Sequence, residues 1–323
     1  MRLVFMGTPD FSVASLSAVL EAGHAAAAVF SQPDRPRGRG LRVTPSPVSA
    51  FALSRGIPLY RPETFKGGAQ DALLQSIAPD CVVVVVYGRI LPRAVLGIPP
   101  LGCINVHASL LPRYRGAAPI QRAVAQGERE TGVTTMYLSP EMDAGDMIYQ
   151  ESTPIGETDD AGTVHDRLMR MGAGLLVKTL ADIERGTAPR IPQDHARATF
   201  APKLKREDAR IDWTRPAVAV SAFIRGMSPY PGAFCGLLGE GGGETASLKV
   251  FFASATGKSA LGDPGRVAAV GPGGIEVCCG DGQTVLLTEV QGPGGRRMTA
   301  AAYMRGHAKG FARGHAVDYL GGL

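Results

Sequence analysis

Cys81-Val82-Val83-Val84-Val85-Val86 is the stretch whose reading decides the fold. Branched side chains favour extended backbone, and a run without polar alternation has no face to offer water. The segment therefore reads as a strand buried on both faces, which belongs inside a sheet covered by helices on either side. Outward from it, strand-like runs at Arg2–Met6, Ala26–Phe30, Gly102–Val106, Gly132–Leu138 and Met147–Ser152 alternate with helical patterns. The helices are expected at Phe11–Ala22, Val48–Ser54, Gln70–Ile77, Pro119–Ala125 and Ala161–Glu184, with Gly23 and Gly127 standing where C-terminal caps belong. This alternation predicts an α/β domain over residues 1–188, an open, parallel-type Rossmann-like sheet with helices on both faces.

The pattern breaks at 189–205, where prolines and mixed charge read as a linker. Residues 206–323 then show a helix at about Pro216–Gly226 and five short strand runs: Ala233–Leu238, Ser247–Ala253, Gly265–Val270, Ile275–Cys278 and Thr284–Val290. Turns rich in Gly, Pro and Asp separate them, so a small barrel is expected, an OB-like one being the leading candidate of that size. A chain of 323 residues accommodates two such domains.

Several classes fall away on composition. Met1–Gly7 is too short and too weakly basic for a signal peptide, so the expected address is cytoplasmic. The longest apolar run, Cys81–Tyr87, is far below the roughly 20 residues that span a bilayer, and no membrane association is expected. Cysteines at 81, 103, 235, 278 and 279 form no C-x-x-C pair, which leaves buried thiols as the simpler reading and argues against a zinc site. After the first strand, Gly7-Thr8-Pro9-Asp10-Phe11-Ser12 puts Pro9 and Ser12 where a dinucleotide fingerprint needs glycines, so no nicotinamide cofactor is expected. His24, His165, His195, His307 and His315 show no metal-ligand spacing.

Chemistry gathers at the end of Gly102-Cys103-Ile104-Asn105-Val106-His107. In open α/β sheets the carboxyl ends of the strands form the ligand crevice, and residues two apart on a strand share a face. An amide and an imidazole can thus converge on one carbonyl oxygen and act as an oxyanion hole, where one lost donor costs about 10²–10³ in rate. The plainer alternative is a loop-capping asparagine and a rim histidine. A carboxylate from the turn Glu141-Met142-Asp143-Ala144-Gly145-Asp146 can raise the histidine's basicity and relay a proton. Asp143 is the candidate; Glu141 and Asp146 are rivals that spacing cannot rank.

Six motifs stand in order along the chain: Met6-Gly7-Thr8-Pro9-Asp10-Phe11, Gln32-Pro33-Asp34-Arg35-Pro36, Tyr87-Gly88-Arg89-Ile90-Leu91-Pro92, Asn105-Val106-His107-Ala108-Ser109-Leu110-Leu111-Pro112, Arg115-Gly116-Ala117-Ala118-Pro119-Ile120 and Met142-Asp143-Ala144-Gly145-Asp146. Together they resemble the methionyl-tRNA formyltransferase family. The likeness continues in Arg210-Ile211-Asp212-Trp213 and covers nearly the whole chain. It implies 10-formyltetrahydrofolate as formyl donor and the amino group of methionyl initiator tRNA as acceptor. It also implies Asn105, His107 and Asp143 as the catalytic trio, Ser109, Leu110, Leu111 and Pro112 as a folate-contacting loop, and backbone near Val86, Tyr87 and Gly88 as the pterin slot. Two departures are visible: Ala108 where glycine is frequent, and Tyr230 where tryptophan is common. The expected reaction is direct attack of the amine on the formyl carbon, with Asp143 pairing with His107 and ordering a water that carries the proton, and no metal in any step.

Relatives that formylate nucleotide or sugar amines share the trio, so other segments must choose the acceptor. Ser31–Arg42 holds Arg35, Arg37, Arg39 and Arg42, which can neutralise phosphates and stack on unpaired bases or simply keep a loop solvated. The resemblance implies that this loop enters the acceptor arm of tRNA, with Arg39 foremost. The stretch Val290–Val317 carries Arg296, Arg297, Arg305, Lys309 and Arg313 with no acidic residue, and Tyr303 and Phe311 are read as added aromatic surface. Such an edge suits a nucleic-acid backbone, solubility being the competing explanation. A monomer is expected. The rival functions are an inert RNA-binding module, a formyltransferase for a small amine and a nicotinamide oxidoreductase.

Overall fold

The computed structural model describes residues 1–37, 42–238 and 244–311. Two compact units emerge, the first made of Met1–Pro119, Glu130–Pro154 and His165–Pro202, the second of Ile120–Arg129, Ile155–Val164 and Lys203–Leu323.

The first part of the chain runs β1 (Arg2–Gly7), α1 (Asp10–Glu21), β2 (Ala25–Phe30), β3 (Arg35–Arg37), β4 (Arg42–Thr44), α2 (Pro47–Ser54), β5 (Leu59–Tyr60), α3 (Ala69–Ile77), β6 (Cys81–Val85), α4 (Arg93–Leu96), β7 (Cys103–His107), α5 (Pro119–Ala125), β8 (Glu130–Tyr137), β9 (Met147–Pro154) and α6 (Ala161–Glu184). Seven strands form one sheet in the order β5-β2-β1-β6-β7-β8-β9, with the valine strand β6 at its centre. Val82, Val83, Val84 and Val85 are all buried, as a strand sandwiched between two layers requires. Val4, Met6, Phe30, Val82, Val84 and Leu74 share one core on one side of it.

The expected parallel sheet needs one correction. β5, β2, β1, β6 and β7 are parallel, but β8 pairs antiparallel with β7 and β9 antiparallel with β8. For β9 the cause is connection length: β8 and β9 are joined by residues 138–146, too short for the crossover that parallel neighbours need. The turn that carries Asp143 is that connection.

Within the arginine-rich stretch β3 and β4 pair antiparallel, with Arg35 opposite Thr44 and Arg37 opposite Arg42. Arg39 lies outside the described residues. The stretch beyond Gly186 is hydrogen-bonded along the first unit. Ile191 exchanges two backbone bonds with Met147, Thr199 O accepts from the Arg115 amide, and Ala201 O accepts from the Ala118 amide.

In the second unit, α7 (Ala217–Gly226), β10 (Ala233–Leu238), β11 (Glu244–Ser259), β12 (Val267–Gly271), β13 (Gly274–Cys278), β14 (Gln283–Gln291), β15 (Met298–Thr299) and α8 (Ala300–Phe311) follow one another. The strands form an antiparallel sheet, β10-β11-β14-β13-β12, with β15 beside β14. Trp213, Ile211, Val220, Ile224, Leu248, Val250 and Leu287 fill its core. Tyr303 belongs to that core too, so it is not the surface aromatic that its basic neighbourhood suggested. All five cysteines are buried and free. Among the described residues no helix is long and apolar enough to cross a membrane.

Candidate active site

The end of β7 presents Asn105 and His107. Asn105 Nδ2 donates to Val84 O on β6 at 3.0 Å, which fixes the amide's orientation and leaves one N–H over. Its Oδ1 is buried with no hydrogen-bond partner. A buried acceptor left open in this way costs about 1–3 kcal/mol and points to a function at the site.

His107 is 7% exposed and both ring nitrogens face defined groups. Nε2 lies 2.9 Å from Tyr114 O, and since a carbonyl can only accept, Nε2 carries a proton. Nδ1 lies 3.7 Å from Asp143 Oδ2. That is ion-pair range but beyond a hydrogen bond, so Nδ1 stays available to a third atom. The spacing also ranks the rival carboxylates. Asp146 pairs instead with Arg190 at 3.7 Å, and Glu141 is exposed.

Backbone strain concentrates here. Among the described residues four non-glycines have positive φ, and three of them are Val86 (44°), Tyr114 (60°) and Asp143 (49°). Each such residue costs on the order of 1–3 kcal/mol, which the surroundings must offset. Val86 turns the chain out of the central strand and is half exposed, while Tyr114 aims its carbonyl at His107. Asp143 Oδ2 accepts the Gly116 amide at 2.8 Å. Two glycines permit this close approach: a Cβ on Gly116 would lie 2.7 Å from Ala201 O, and one on Gly145 1.8 Å from Tyr137 O.

The residues beside the trio are held by polar side chains to which the sequence assigned no supporting role. Tyr87 O receives Thr8 Oγ1 at 3.2 Å and Gln32 Nε2 at 2.9 Å, and Gly88 O receives the same Gln32 Nε2 at 3.1 Å. Thr134 supports the Ser109–Pro112 loop. Its hydroxyl donates to Ser109 O at 2.6 Å and accepts the Leu111 amide at 3.2 Å, while Gln150 Nε2 donates to Leu111 O at 2.9 Å. Ser109 Oγ donates to Arg113 O at 2.7 Å, and Leu111-Pro112 is a cis peptide. Thr134 and Gln150 lie in no motif, whereas Thr8, Gln32 and Ser109 stand inside three of the six. Ser12 Oγ donates to Val85 O at 2.6 Å, so the expected third fingerprint glycine is a hydroxyl that ties the β1–α1 turn to β6. Among the described residues no group of three His, Cys, Asp or Glu is placed to hold a metal ion.

The remaining expected residues stand on other elements or outside the described residues. Arg35 is exposed on β3, and Arg37 and Arg42 are a cross-strand pair of β3 and β4. Arg296 and Arg305 are exposed in the second unit, while Arg297 is paired with Glu289 and lies over the Phe251 ring at 4.7 Å. Arg313 lies outside the described residues.

Comparison with known proteins adds to this geometry. The family described as formyl transferase matches residues 1–180, and the formyl transferase C-terminal domain matches 203–308. A methionyl-tRNA formyltransferase of Moorella thermoacetica is 52% identical over 307 residues, 95% of this chain and 96% of that one. An N-formyltransferase of Helicobacter canadensis, solved with folinic acid and dTDP-3-aminofucose, shares the fold at 17% identity and a TM-score of 0.64, covering 89% of this chain and 98% of that one. HypX of Aquifex aeolicus, solved with tetrahydrofolic acid, does so at 19% identity and a TM-score of 0.60, covering 98% of this chain, which spans about half of HypX (48%).

Proposed function

Because the chain belongs to the methionyl-tRNA formyltransferase family, we propose that Asn105, His107 and Asp143 carry its formyl transfer. The enzyme moves the formyl group of 10-formyltetrahydrofolate to the α-amino group of methionyl initiator tRNA for translation initiation. The observation that carries the assignment of roles is His107, proton-bearing at Nε2 against Tyr114 O and open at Nδ1 towards Asp143.

The neutral amine attacks the formyl carbon, a C–N bond forms, and the carbonyl oxygen takes up negative charge. The spare Nδ2 hydrogen of Asn105 and the Nδ1–H that His107 carries as an imidazolium, its Nε2–H being held by Tyr114 O, stabilise that oxyanion. The unpartnered Asn105 Oδ1 is an acceptor for an N–H of the reacting groups. Asp143 pairs with His107 and orders the water that takes the amine's proton and returns one to N10 of the folate as the C–N10 bond breaks. Val86, Tyr87 and Gly88 hold the pterin through backbone, and Ser109, Leu110, Leu111 and Pro112 close over the folate. The Thr8, Gln32 and Thr134 bonds support this by fixing both stretches.

The acceptor is chosen elsewhere. The arginines of the Ser31–Arg42 stretch, Arg35, Arg37, Arg39 and Arg42, meet the acceptor arm, and Arg296, Arg297 and Arg305 meet the tRNA backbone. Residues 206–323 form an OB-like tRNA-binding domain after a catalytic domain at 1–188 and a connection at 189–205. The two family matches, 1–180 and 203–308, and the antiparallel β10-β11-β14-β13-β12 order support that division. The protein acts as a monomer in the cytoplasm on this reading.

The test is formylation of charged initiator and elongator methionine tRNAs with 10-formyltetrahydrofolate. Initiator tRNA is formylated and elongator tRNA is not, while His107→Ala and Asp143→Ala each lose at least about 10² in kcat/KM. Near wild-type rates in both variants would refute the roles of the trio.

A further inference from the structure

Gln193 sits in the stretch that reads as linker, with no motif around it, yet it is 5% exposed. Its Nε2 donates to Asp143 O at 2.9 Å and to Gly145 O at 2.8 Å. Its Oε1 accepts from Arg115 Nη2 at 2.6 Å and Nε at 3.1 Å. The amide's orientation is unambiguous, because two carbonyls can only accept and a guanidinium can only donate. Arg115 in turn separates Tyr114, whose carbonyl holds His107 Nε2, from Gly116, whose amide holds Asp143 Oδ2. One side chain therefore joins the loop that orients the histidine to the loop that carries the carboxylate.

Asp143 needs such an anchor. At φ 49° it sits in a conformation that L residues rarely adopt, and its backbone relaxes unless it is held. The Gly116 amide fixes only the carboxylate; Gln193 fixes the peptide groups at Asp143 and at Gly145. Gln193 is itself held by its strand-like neighbour Ile191, bridged to Met147 at the start of β9. The clamp is thus anchored where the 138–146 turn runs into β9.

We infer that Gln193 is a positioning residue for the transfer reaction, holding Asp143 at the distance from His107 that proton handling requires. The inference rests on the role proposed for Asp143. Two nearly isosteric variants separate its contacts. Gln193→Glu keeps the acceptor for Arg115 and replaces the two N–H donors by an oxygen facing two carbonyls. Gln193→Met removes both contacts. Each is combined with Asp143→Asn, and single-turnover formylation, donor KM and thermal unfolding are measured for every variant.

Both Gln193 variants lower kcat by about 10- to 100-fold with donor KM within about threefold of wild type, as for a small displacement of a reacting group. In the Asp143→Asn background neither lowers the residual rate further, because Gln193 acts through Asp143. The acid limb of the kcat profile also moves in both variants, which a merely structural loss does not produce. A wild-type rate in Gln193→Glu, or losses that multiply in the double variants, overturns the inference while the role of Asp143 stands. A wild-type rate in Asp143→Asn overturns that role and the inference with it.

Discussion

Thr134→Val tests how the Ser109–Pro112 loop is held. Thr134 is fully buried on β8, and its hydroxyl donates to Ser109 O at 2.6 Å, accepts the Leu111 amide at 3.2 Å and accepts Gln150 Nε2 at 3.0 Å. Valine has the same shape, so no cavity opens and only the polar contacts are lost. Gln150 keeps its bond to Leu111 O, but Ser109 O and the Leu111 amide each lose this partner in a buried setting. At about 1–3 kcal/mol for each of these two orphaned groups, the loss sums to roughly 2–6 kcal/mol. Urea unfolding should therefore show a lower midpoint with an unchanged m-value. If the loop closes on the folate, donor KM rises at least about tenfold while acceptor KM does not. The control is Thr179→Val, which removes a buried hydroxyl bonded to Thr135 Oγ1 at 2.9 Å and Leu175 O at 2.7 Å, away from the loop. It should cost about 1 kcal/mol and leave donor KM alone. A Thr134→Val change below about 0.5 kcal/mol, or equal donor KM in both variants, refutes this account of the loop.

Three further outcomes follow from the same structure. Gly116→Ala puts a Cβ 2.7 Å from Ala201 O at φ 118°, so the amide that holds Asp143 moves and kcat falls by about 10-fold or more; a wild-type kcat argues that this amide is dispensable. Charge reversal at Arg296 and Arg305 weakens tRNA binding, flattens its salt dependence by close to one log unit per lost phosphate contact, and leaves folate binding intact; equal losses of both ligands refute the division of labour. Burial pushes the Cys103 thiol up from its ordinary 9.0 to about 12, so the folded protein keeps a proton that the unfolded chain releases. That stability is fully present below pH 9 and is lost as pH rises towards about 12, and Cys103→Ala reduces the loss in alkaline urea titrations. An unchanged alkaline limb in that variant sinks the attribution.

By itself the sequence determined the elements and the chemistry carried on their ends. Val82–Val85 must be buried on two faces because branched apolar side chains offer water nothing, and Asn105 and His107 must stand at a strand end because that strand is short. The resemblance in six motifs singled out Asp143, whereas spacing alone left Glu141 and Asp146 as equals. Periodicity speaks of burial, not of strand direction, so the antiparallel β8 and β9 became legible only through the short turn between them. Tyr303 looked like surface because its neighbours are basic, and the helix α8 buries it. What only the tertiary structure decided is which carboxylate faces His107, which of its nitrogens bears the proton against Tyr114, and that a stretch rich in prolines supplies the clamp at Gln193. These are contacts between residues dozens of positions apart, set by how loops converge at the edge of a sheet. No local pattern encodes them, because a hydrogen bond to a backbone carbonyl asks nothing of the side chain at the accepting residue.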